Sequence, residues 1–161
     1  MNTLVLYDSQ YGNTARIAQA IAEALRPFGQ ATAIRVASVS PVELQDTDML
    51  IVGSPTQGFR PTSAIQSFLA TLSPQSTRGL VVACFDTRFR GRLMMHSAAP
   101  YMARQLTKIG IEPIVPPESF FVKAWQKMGP LDAGEVERAG AWAQQLYEQY
   151  EASRSLLSAH S

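Results

Sequence analysis

A short run of hydroxyl and amide side chains follows the first apolar segment of the chain, which covers residues 3–7. These side chains belong to Ser9, Tyr11, Asn13 and Thr14. Gly12 lies among them and allows the backbone to come close to a bound group. The spacing of the apolar residues that follow predicts a helix, whose first turn has amide hydrogens without partners inside the helix. Because the helix dipole also favours an anion there, the turn predicts a phosphate-binding site.

The turn differs from two common phosphate-binding motifs. It has no Gly-Lys-Ser/Thr ending, which a P-loop requires, and Gly12 lacks the further glycines of the dinucleotide-binding fingerprint. It contains no Lys or Arg, so backbone amides and hydroxyls would hold the charge of the phosphate. Such a turn before a helix is also typical of ordinary helix capping, and the turn alone leaves that interpretation open.

Composition limits the class of protein. The chain has 161 residues, 46% of them hydrophobic, and a net charge of +1, which fits one folded domain. The balanced charge gives no argument for a nucleic-acid or membrane partner. Cys84 is the one cysteine, which excludes an internal disulfide and leads us to expect a reducing cytoplasm. We also expect neither a signal peptide nor a membrane-spanning segment, because no apolar run has the required length or flanks.

Apolar strand patterns alternate with helical patterns along the chain. Strands are predicted at residues 3–7, 31–36, 49–52, 80–85 and 111–115, the last broken at Pro116 and Pro117 and resumed at 119–122. Helical spacing marks segments near residues 17–28, 65–72, 102–109 and 136–150, and a capping box at 40–43 predicts a further short helix. The alternation predicts an α/β fold, a doubly wound parallel sheet with helices on both faces. We expect one domain over residues 1–152 and a frayed tail over 153–161.

The loops richest in turn-forming residues all follow the carboxyl ends of predicted strands. They cover residues 9–14, 54–60 and 86–92. In doubly wound sheets, ligands bind beyond the carboxyl ends of the strands, near the point where strand order reverses. We therefore expect the three loops to meet at one ligand-binding site.

The sequence Ser-Gln-Tyr-Gly-Asn-Thr at residues 9–14, placed between a strand and a helix, resembles the phosphate-binding turn of the flavodoxin family. The resemblance covers nearly the whole chain and implies a five-stranded sheet of order 2-1-3-4-5, of the short-chain type, with flavin mononucleotide (FMN) as cofactor. It implies that the phosphate is held by Ser9, Gln10, Tyr11, Gly12, Asn13 and Thr14. It implies that the flavin ring is held by Pro55, Thr56, Gln57, Gly58, Phe59, Phe85, Asp86, Thr87 and Arg88. Phe89 is a further candidate, and Phe85 has the alternative of belonging to the core.

The chain departs from the electron-carrier flavodoxins that it resembles. The second loop has no Trp and the third has no Tyr, and Tyr11 replaces a small hydroxyl residue. Basic residues crowd the two ring loops, where carrier flavodoxins place carboxylates: Arg60, Arg88, Arg90 and Arg92. Positive charge near a reduced, anionic flavin would make the flavin easier to reduce. The alternatives are that these arginines pair with Asp86 and other acids, or that they bind an acidic partner or the phosphates of a nicotinamide nucleotide.

Three functions fit these motifs and the fold that they imply. The first is an FMN redox protein that passes electrons between partner proteins and needs no catalytic side chain, because the flavin carries the chemistry. The second is an FMN-dependent NAD(P)H:quinone reductase, whose second loop is similar to residues 54–59 and whose first loop is similar through Tyr11. The third is a module that keeps the fold without binding flavin. We favour the electron carrier over a stand-alone enzyme and expect no metal site, because neither His96 nor His160 has a ligand at metal spacing. The sequence does not determine the oligomeric state.

Overall fold

The chain folds into a five-stranded parallel sheet with helices on both faces. The computed structural model describes residues 1–39, 44–91, 96–123 and 129–159. The strands are β1 (Asn2–Tyr7), β2 (Gln30–Arg35), β3 (Met49–Pro55), β4 (Val81–Phe89) and β5 (Glu118–Val122). The α-helices are α1 (Asn13–Leu25), α2 (Ser63–Thr71), α3 (Ala98–Lys108) and α4 (Glu135–Ala159). Every strand pair is parallel, and the order β2-β1-β3-β4-β5 confirms the predicted topology.

The apolar core lies in two layers, one on each face of the sheet. Val5 and Ile51 pack with α1 and α4 on one face, whereas Leu4 and Val52 pack with α2 and α3 on the other. This alternation explains the continuous apolar runs of β1 and β3, because a central parallel strand is covered on both faces. Cys84 is buried in the second layer, and burial raises the pKa of its thiol to about 12. A thiol that stays protonated is a packing group rather than a nucleophile.

The fifth strand is shorter than the sequence predicts. Residues 111–115 were expected to begin it, but the structure has the strand only at Glu118–Val122. The earlier segment makes one ladder-like contact, in which the Ile114 amide donates to the Val82 carbonyl at 2.8 Å. The physical reason is the Pro116-Pro117 pair, which has no amide hydrogens to continue the ladder.

The last helix continues beyond the expected end of the domain. Helical backbone reaches Ala159, where the sequence predicts a frayed tail from residue 153. Its final turns are exposed, with Leu156 and Leu157 at 65% and 72%. The assignment of residues 1–152 to one domain stays a prediction, and the capping box at residues 40–43 lies outside the described residues. No described helix is both long enough and apolar enough to cross a membrane.

An ion pair at the start of α4 covers the outer edge of β5. The Glu135 carboxylate accepts a hydrogen bond from the Phe121 amide at 2.7 Å, and Arg138 donates to the Ser119 carbonyl. Arg138 also pairs with Glu135 at 2.6 Å and with Glu118 at 3.1 Å. These side chains pair part of the outer edge of β5, and backbone groups of the next segment pair the rest: the Lys123 amide donates to the Pro130 carbonyl and the Asp132 amide to the Phe121 carbonyl.

Replacing Glu135 with glutamine will destabilise the fold in a pH-dependent way. Burial of the Glu135 carboxyl works to raise its pKa, but the hydrogen bonds from Arg138 and the Phe121 amide hold that pKa below the ordinary value of 4.5. The carboxylate therefore stabilises the fold fully above this ordinary value, and the stabilisation is lost as pH falls through the lower, folded pKa. In urea unfolding at pH 7 we expect Glu135→Gln to cost about 1 kcal/mol or more, and the difference from the parent to shrink towards pH 3.

The control is Glu137→Gln, which changes an exposed carboxylate on the same helical turn. An equal loss of stability in both variants, or a Glu135→Gln loss that does not depend on pH, would contradict the proposed role of the ion pair.

Candidate functional site

A cavity of about 430 Å³ opens at the carboxyl ends of β1, β3 and β4, and all three predicted loops reach it. Its lining residues are Ser9, Gln10, Tyr11, Asn13, Thr14, Pro55, Thr56, Gln57, Gly58, Thr87, Arg88, Phe89 and Val122. The predicted site residues that do not line it are Gly12, Phe59, Phe85 and Asp86. The cavity lies where strand order reverses between β1 and β3, which is the usual ligand position in a doubly wound sheet.

The first loop is bent so that the start of α1 faces the cavity. Gly12 has a φ of +91°, in the left-handed region that glycine adopts without strain, and its amide donates to Ser9 Oγ at 3.1 Å. As the N-cap it offers no side-chain acceptor to the helix amides, and the first turn of α1 contains no acidic residue. An anion here would meet amide hydrogens and the positive end of the helix dipole.

Hydrogen bonds connect the three loops pairwise. The hydroxyls of Thr14 and Thr87 lie 2.7 Å apart in a buried position and join the first loop to the third. Gln57 Nε2 donates to Gln10 Oε1 at 2.6 Å, joining the second loop to the first. The Thr56 amide donates to the Thr87 carbonyl at 2.9 Å, joining the second to the third. The cavity wall is therefore one connected structure rather than three separate loops.

Arg35 supports the first loop, although no motif in the sequence pointed to it. Its Nη1 atom donates to the Ser9 carbonyl at 2.7 Å and lies 3.3 Å from Asp8 Oδ1. The residue ends β2 and is brought beside Tyr7 by the parallel register of β1 and β2. A guanidinium from β2 therefore holds the backbone of the turn, although the turn itself contains no Lys or Arg.

The segment around the end of β5 also reaches the cavity without having been predicted. Val122 lines the cavity, and Gly129 lies so close to the first loop that a Cβ on it would overlap the side chain of Asn13. The sheet topology could have predicted this contact, because the carboxyl end of β5 lies at the same edge of the sheet as the carboxyl ends of the other strands.

The second loop ends in a tight hairpin. Gln57 and Arg60 exchange backbone hydrogen bonds of 2.8 and 3.1 Å around Gly58 and Phe59. Both central residues have positive φ, +54° for Gly58 and +67° for Phe59, which is the pattern of a type I′ turn. The turn suits Gly58 but strains Phe59, because a bulky residue rarely adopts this conformation. The Phe59 ring is directed into solvent and does not line the cavity.

Phe85 lies in the core and not at the cavity. Its ring is fully buried and packs edge-to-face against Phe120 at 5.9 Å and Trp142 at 6.2 Å between centroids. Gly53, on the neighbouring strand, leaves the space for it, since a Cβ at Gly53 would overlap the Phe85 ring. Phe85 was predicted either to contact the flavin ring or to belong to the core, and its packing agrees with the core position.

Asp86 is also turned away from the cavity, towards the start of α3. Its Oδ2 atom accepts from the Ala99 amide at 2.8 Å, while Thr56 Oγ1 accepts from the Ala98 amide at 3.0 Å. Burial raises the pKa of Asp86 above its ordinary value, although the Ala99 amide and the Arg88 guanidinium favour the charged form. Asp86 and Thr56 thus fix the second and third loops to the same helix end.

The arginines of the ring loops are partly neutralised. Arg88 Nε donates to Ser119 Oγ at 3.1 Å and lies 3.9 Å from Asp86, and Arg90 pairs with Asp132 at 2.9 Å. Arg60 lies 5.8 Å from the Tyr101 ring centre. Arg92 lies outside the described residues. The alternative that these arginines pair with acidic residues of the chain therefore applies to Arg88 and Arg90.

A Gly53→Ala substitution tests the position of Phe85. The added methyl group must displace the Phe85 ring, so we expect a loss of about 2 kcal/mol in the free energy of urea unfolding. In a Phe85→Leu background the same substitution should cost at least about 0.5 kcal/mol less, because the clashing ring is gone. Gly91→Ala is the matched control, since a Cβ there meets nothing within 4 Å. Equal costs in both backgrounds would contradict the packing.

Comparison with protein families matches the chain over residues 5–142 to the model described as Flavodoxin. Among curated proteins, a stretch of 88 residues, 52% of the chain, is 33% identical to putative diflavin flavoprotein A 2 of Thermosynechococcus vestitus. That stretch spans 15% of the relative's length.

Solved structures share the fold over almost the whole chain. An archaeal flavodoxin superposes with a TM-score of 0.77 at 19% identity, covering 94% of this chain and 99% of that one. Flavodoxin 2 of Bacillus cereus has a TM-score of 0.74 at 21% identity, covering 92% and 99%. Rubredoxin oxygen:oxidoreductase of Desulfovibrio gigas has a TM-score of 0.75 at 20% identity, and this chain covers 36% of it. At these identities the likeness shows the fold alone.

Proposed function

The chain belongs to the flavodoxin family, whose cofactor is FMN, and we propose that it holds FMN in the cavity between its three loops and passes electrons between partner proteins. The observation that carries the proposal is the connection of the three loops around one cavity, with the start of α1 at one end. A cavity of about 430 Å³ is within the range of cofactor sites.

The first loop fits the phosphate end of FMN. The turn at Gly12 directs the first amides of α1 and the hydroxyl of Thr14 towards the cavity. A dianionic phosphate there is favoured by the helix dipole and by charge-assisted hydrogen bonds. Arg35, through its bond to the Ser9 carbonyl, keeps the loop in the shape that presents these donors. It acts on the phosphate through the loop and is therefore a positioning residue.

The second and third loops fit the ring end. Pro55, Phe89 and Val122 give apolar surface, while the backbone around Gly58 offers polar groups at the edge of the cavity. A flat ring with apolar faces and a polar edge needs this combination. FMN, when bound, supplies the chemistry by accepting and releasing one or two electrons. The side chains of this chain would bind it, orient it and exclude water.

A quinone reductase activity is the second candidate, and the position of Tyr11 favours it. Tyr11 lines the cavity beside Gln57 and Gly58, as the resemblance of both loops to the quinone reductases implies. Binding of NAD(P)H and a quinone would then occur at the open side of the flavin.

Comparing FMN with riboflavin tests the assignment of the phosphate end. We expect the parent protein to bind FMN tightly and one-to-one, measured by quenching of flavin fluorescence. Thr14→Val keeps the side-chain volume but removes a hydroxyl donor, so its affinity for FMN should fall about tenfold or more. Its affinity for riboflavin, which has no phosphate, should fall much less, because the contact then lost is the one between Thr14 and the Thr87 hydroxyl. Thr32→Val, an exposed position on β2, is the matched control.

An equal loss of affinity for both flavins would show that the Thr14 hydroxyl acts through its bond to Thr87 between the first and third loops, and not on the phosphate. Lack of FMN binding even at high concentration would overturn both redox functions and favour a module that keeps the fold without flavin.

Reaction with NADH separates the two redox functions. For an electron carrier, NADH added to the FMN-loaded protein should leave the flavin absorbance near 450 nm almost unchanged over minutes, because hydride transfer needs a built nicotinamide site. Photoreduction followed by an electron acceptor should restore the absorbance. Rapid bleaching by NADH, with many turnovers once a quinone is added, would contradict the carrier function and support the reductase.

A further inference from the structure

Each of the three loops exposes one aromatic ring beside the cavity, and we propose that these rings and two neighbouring cations form a docking surface for an acidic redox protein. The docking surface consists of Tyr11, Phe59, Phe89, Arg60 and Lys123. This proposal rests on the FMN-binding function proposed above and specifies the chemistry of the partner.

The apolar part of the docking surface comes from one residue per loop. Tyr11 is 46% exposed, Phe59 56% and Phe89 41%. Among the described residues, the other large apolar side chains with such exposure are Leu156 and Leu157, at the end of α4. Exposed aromatic rings grouped around one opening are typical of protein interfaces, where they supply much of the binding energy.

The backbone of Phe59 is strained in the conformation that leaves its ring exposed to solvent. Its φ of +67° is unfavourable for a bulky residue, and the hairpin bonds between Gln57 and Arg60 maintain it. Its ring has one described aromatic neighbour, His96, at 6.5 Å in an edge-on arrangement. Strain that keeps a ring exposed does not stabilise the isolated fold, and the Phe59 ring, which does not line the cavity, is free to contact a molecule outside the fold.

The unpaired charge of the docking surface is positive. Arg60 adjoins Phe59, and Lys123 follows the cavity residue Val122; both are exposed, and neither forms an ion pair with a described residue. Two acids beside these loops are paired, Asp8 with Arg35 and Asp132 with Arg90, and Asp86 in the third loop is fully buried. A surface of this charge attracts an acidic partner and repels a basic one, mainly through the association rate.

The spread of the rings favours a protein over a small molecule. Tyr11 and Phe89 line the cavity, whereas Phe59 lies outside it, so an occupant that touches all three rings must cover the mouth and extend beyond the cavity. A protein seated there would cover the mouth and bring its own redox centre near the flavin.

Electron transfer to two iron proteins of opposite charge tests the docking surface. The FMN-loaded protein is photoreduced and mixed with acidic rubredoxin or basic cytochrome c in a stopped-flow instrument. Two ferric iron proteins take the two electrons of each reduced FMN, and the protons taken up on reduction return to solvent. The rate with rubredoxin should fall as ionic strength rises, whereas the rate with cytochrome c should rise.

Variants with reversed charge at the docking surface test its role directly. Arg60→Glu/Lys123→Glu should lower the rubredoxin rate at low salt about tenfold and raise the cytochrome c rate. Phe59→Gly should lower the rubredoxin rate at high salt, where screening leaves the apolar contact. The matched control Arg78→Glu/Lys108→Glu makes the same charge change at exposed positions near the opposite end of the sheet, and should alter the rubredoxin rate less than twofold.

Neutral benzoquinone separates failure of the docking surface from failure of the FMN function. If benzoquinone reoxidises all variants at the parental rate while the rubredoxin rate is unaffected by salt and by charge reversal, the docking surface is overturned and the FMN function stands. A rubredoxin rate that rises with salt would overturn it in favour of a basic partner. Lack of FMN binding would overturn both proposals together.

Discussion

The parallel pairing of β1, β3 and β4 is the constraint on which the rest of the structure depends. In register, Tyr7 lies opposite Gly53, and Ser54 lies opposite Asp86, so the carboxyl ends of the three strands lie at the same edge of the sheet. Loops that are far apart in the chain therefore begin side by side. Their mutual hydrogen bonds, such as the buried contact between Thr14 and Thr87, become possible only after this pairing.

The cavity is supported by buried polar groups as much as by the sheet. The start of α3 is fixed through its first amides, which donate to Thr56 on one loop and Asp86 on another. One oxygen of the buried Asp86 carboxyl accepts from the Ala99 amide, and in this way Asp86 replaces a capping residue of the helix itself. Supporting contacts of this kind hold cavity residues in place, because they attach mobile loops to rigid elements.

Electrostatics at the cavity depends on pairing rather than on the number of arginines. The sequence places four arginines in the ring loops, but Arg88 and Arg90 are engaged by Ser119, Asp86 and Asp132. The hypothesis that positive charge eases reduction of the flavin therefore loses support from these two residues. Arg60 and Lys123 form no ion pair with a residue that the structure describes, and both are exposed, so their charge acts on an approaching molecule more than on a bound ring.

The sequence by itself determined the alternation of strands and helices, the sheet class and the three loops, because these follow from patterns among near neighbours in the chain. Most of the cavity residues followed from the resemblance of these loops to those of the flavodoxin family. Only the tertiary structure decided the direction of Phe85 and Asp86, which depends on the space left by Gly53 and on the position of α3. It also brought Arg35 and Val122 to the site, since strand register and sheet order, not local spacing, make them neighbours of the first and third loops. The strand predicted at residues 111–115 failed for a local reason: Ile114 reaches the Val82 carbonyl, but Pro116 and Pro117 have no amide hydrogens with which to continue the ladder.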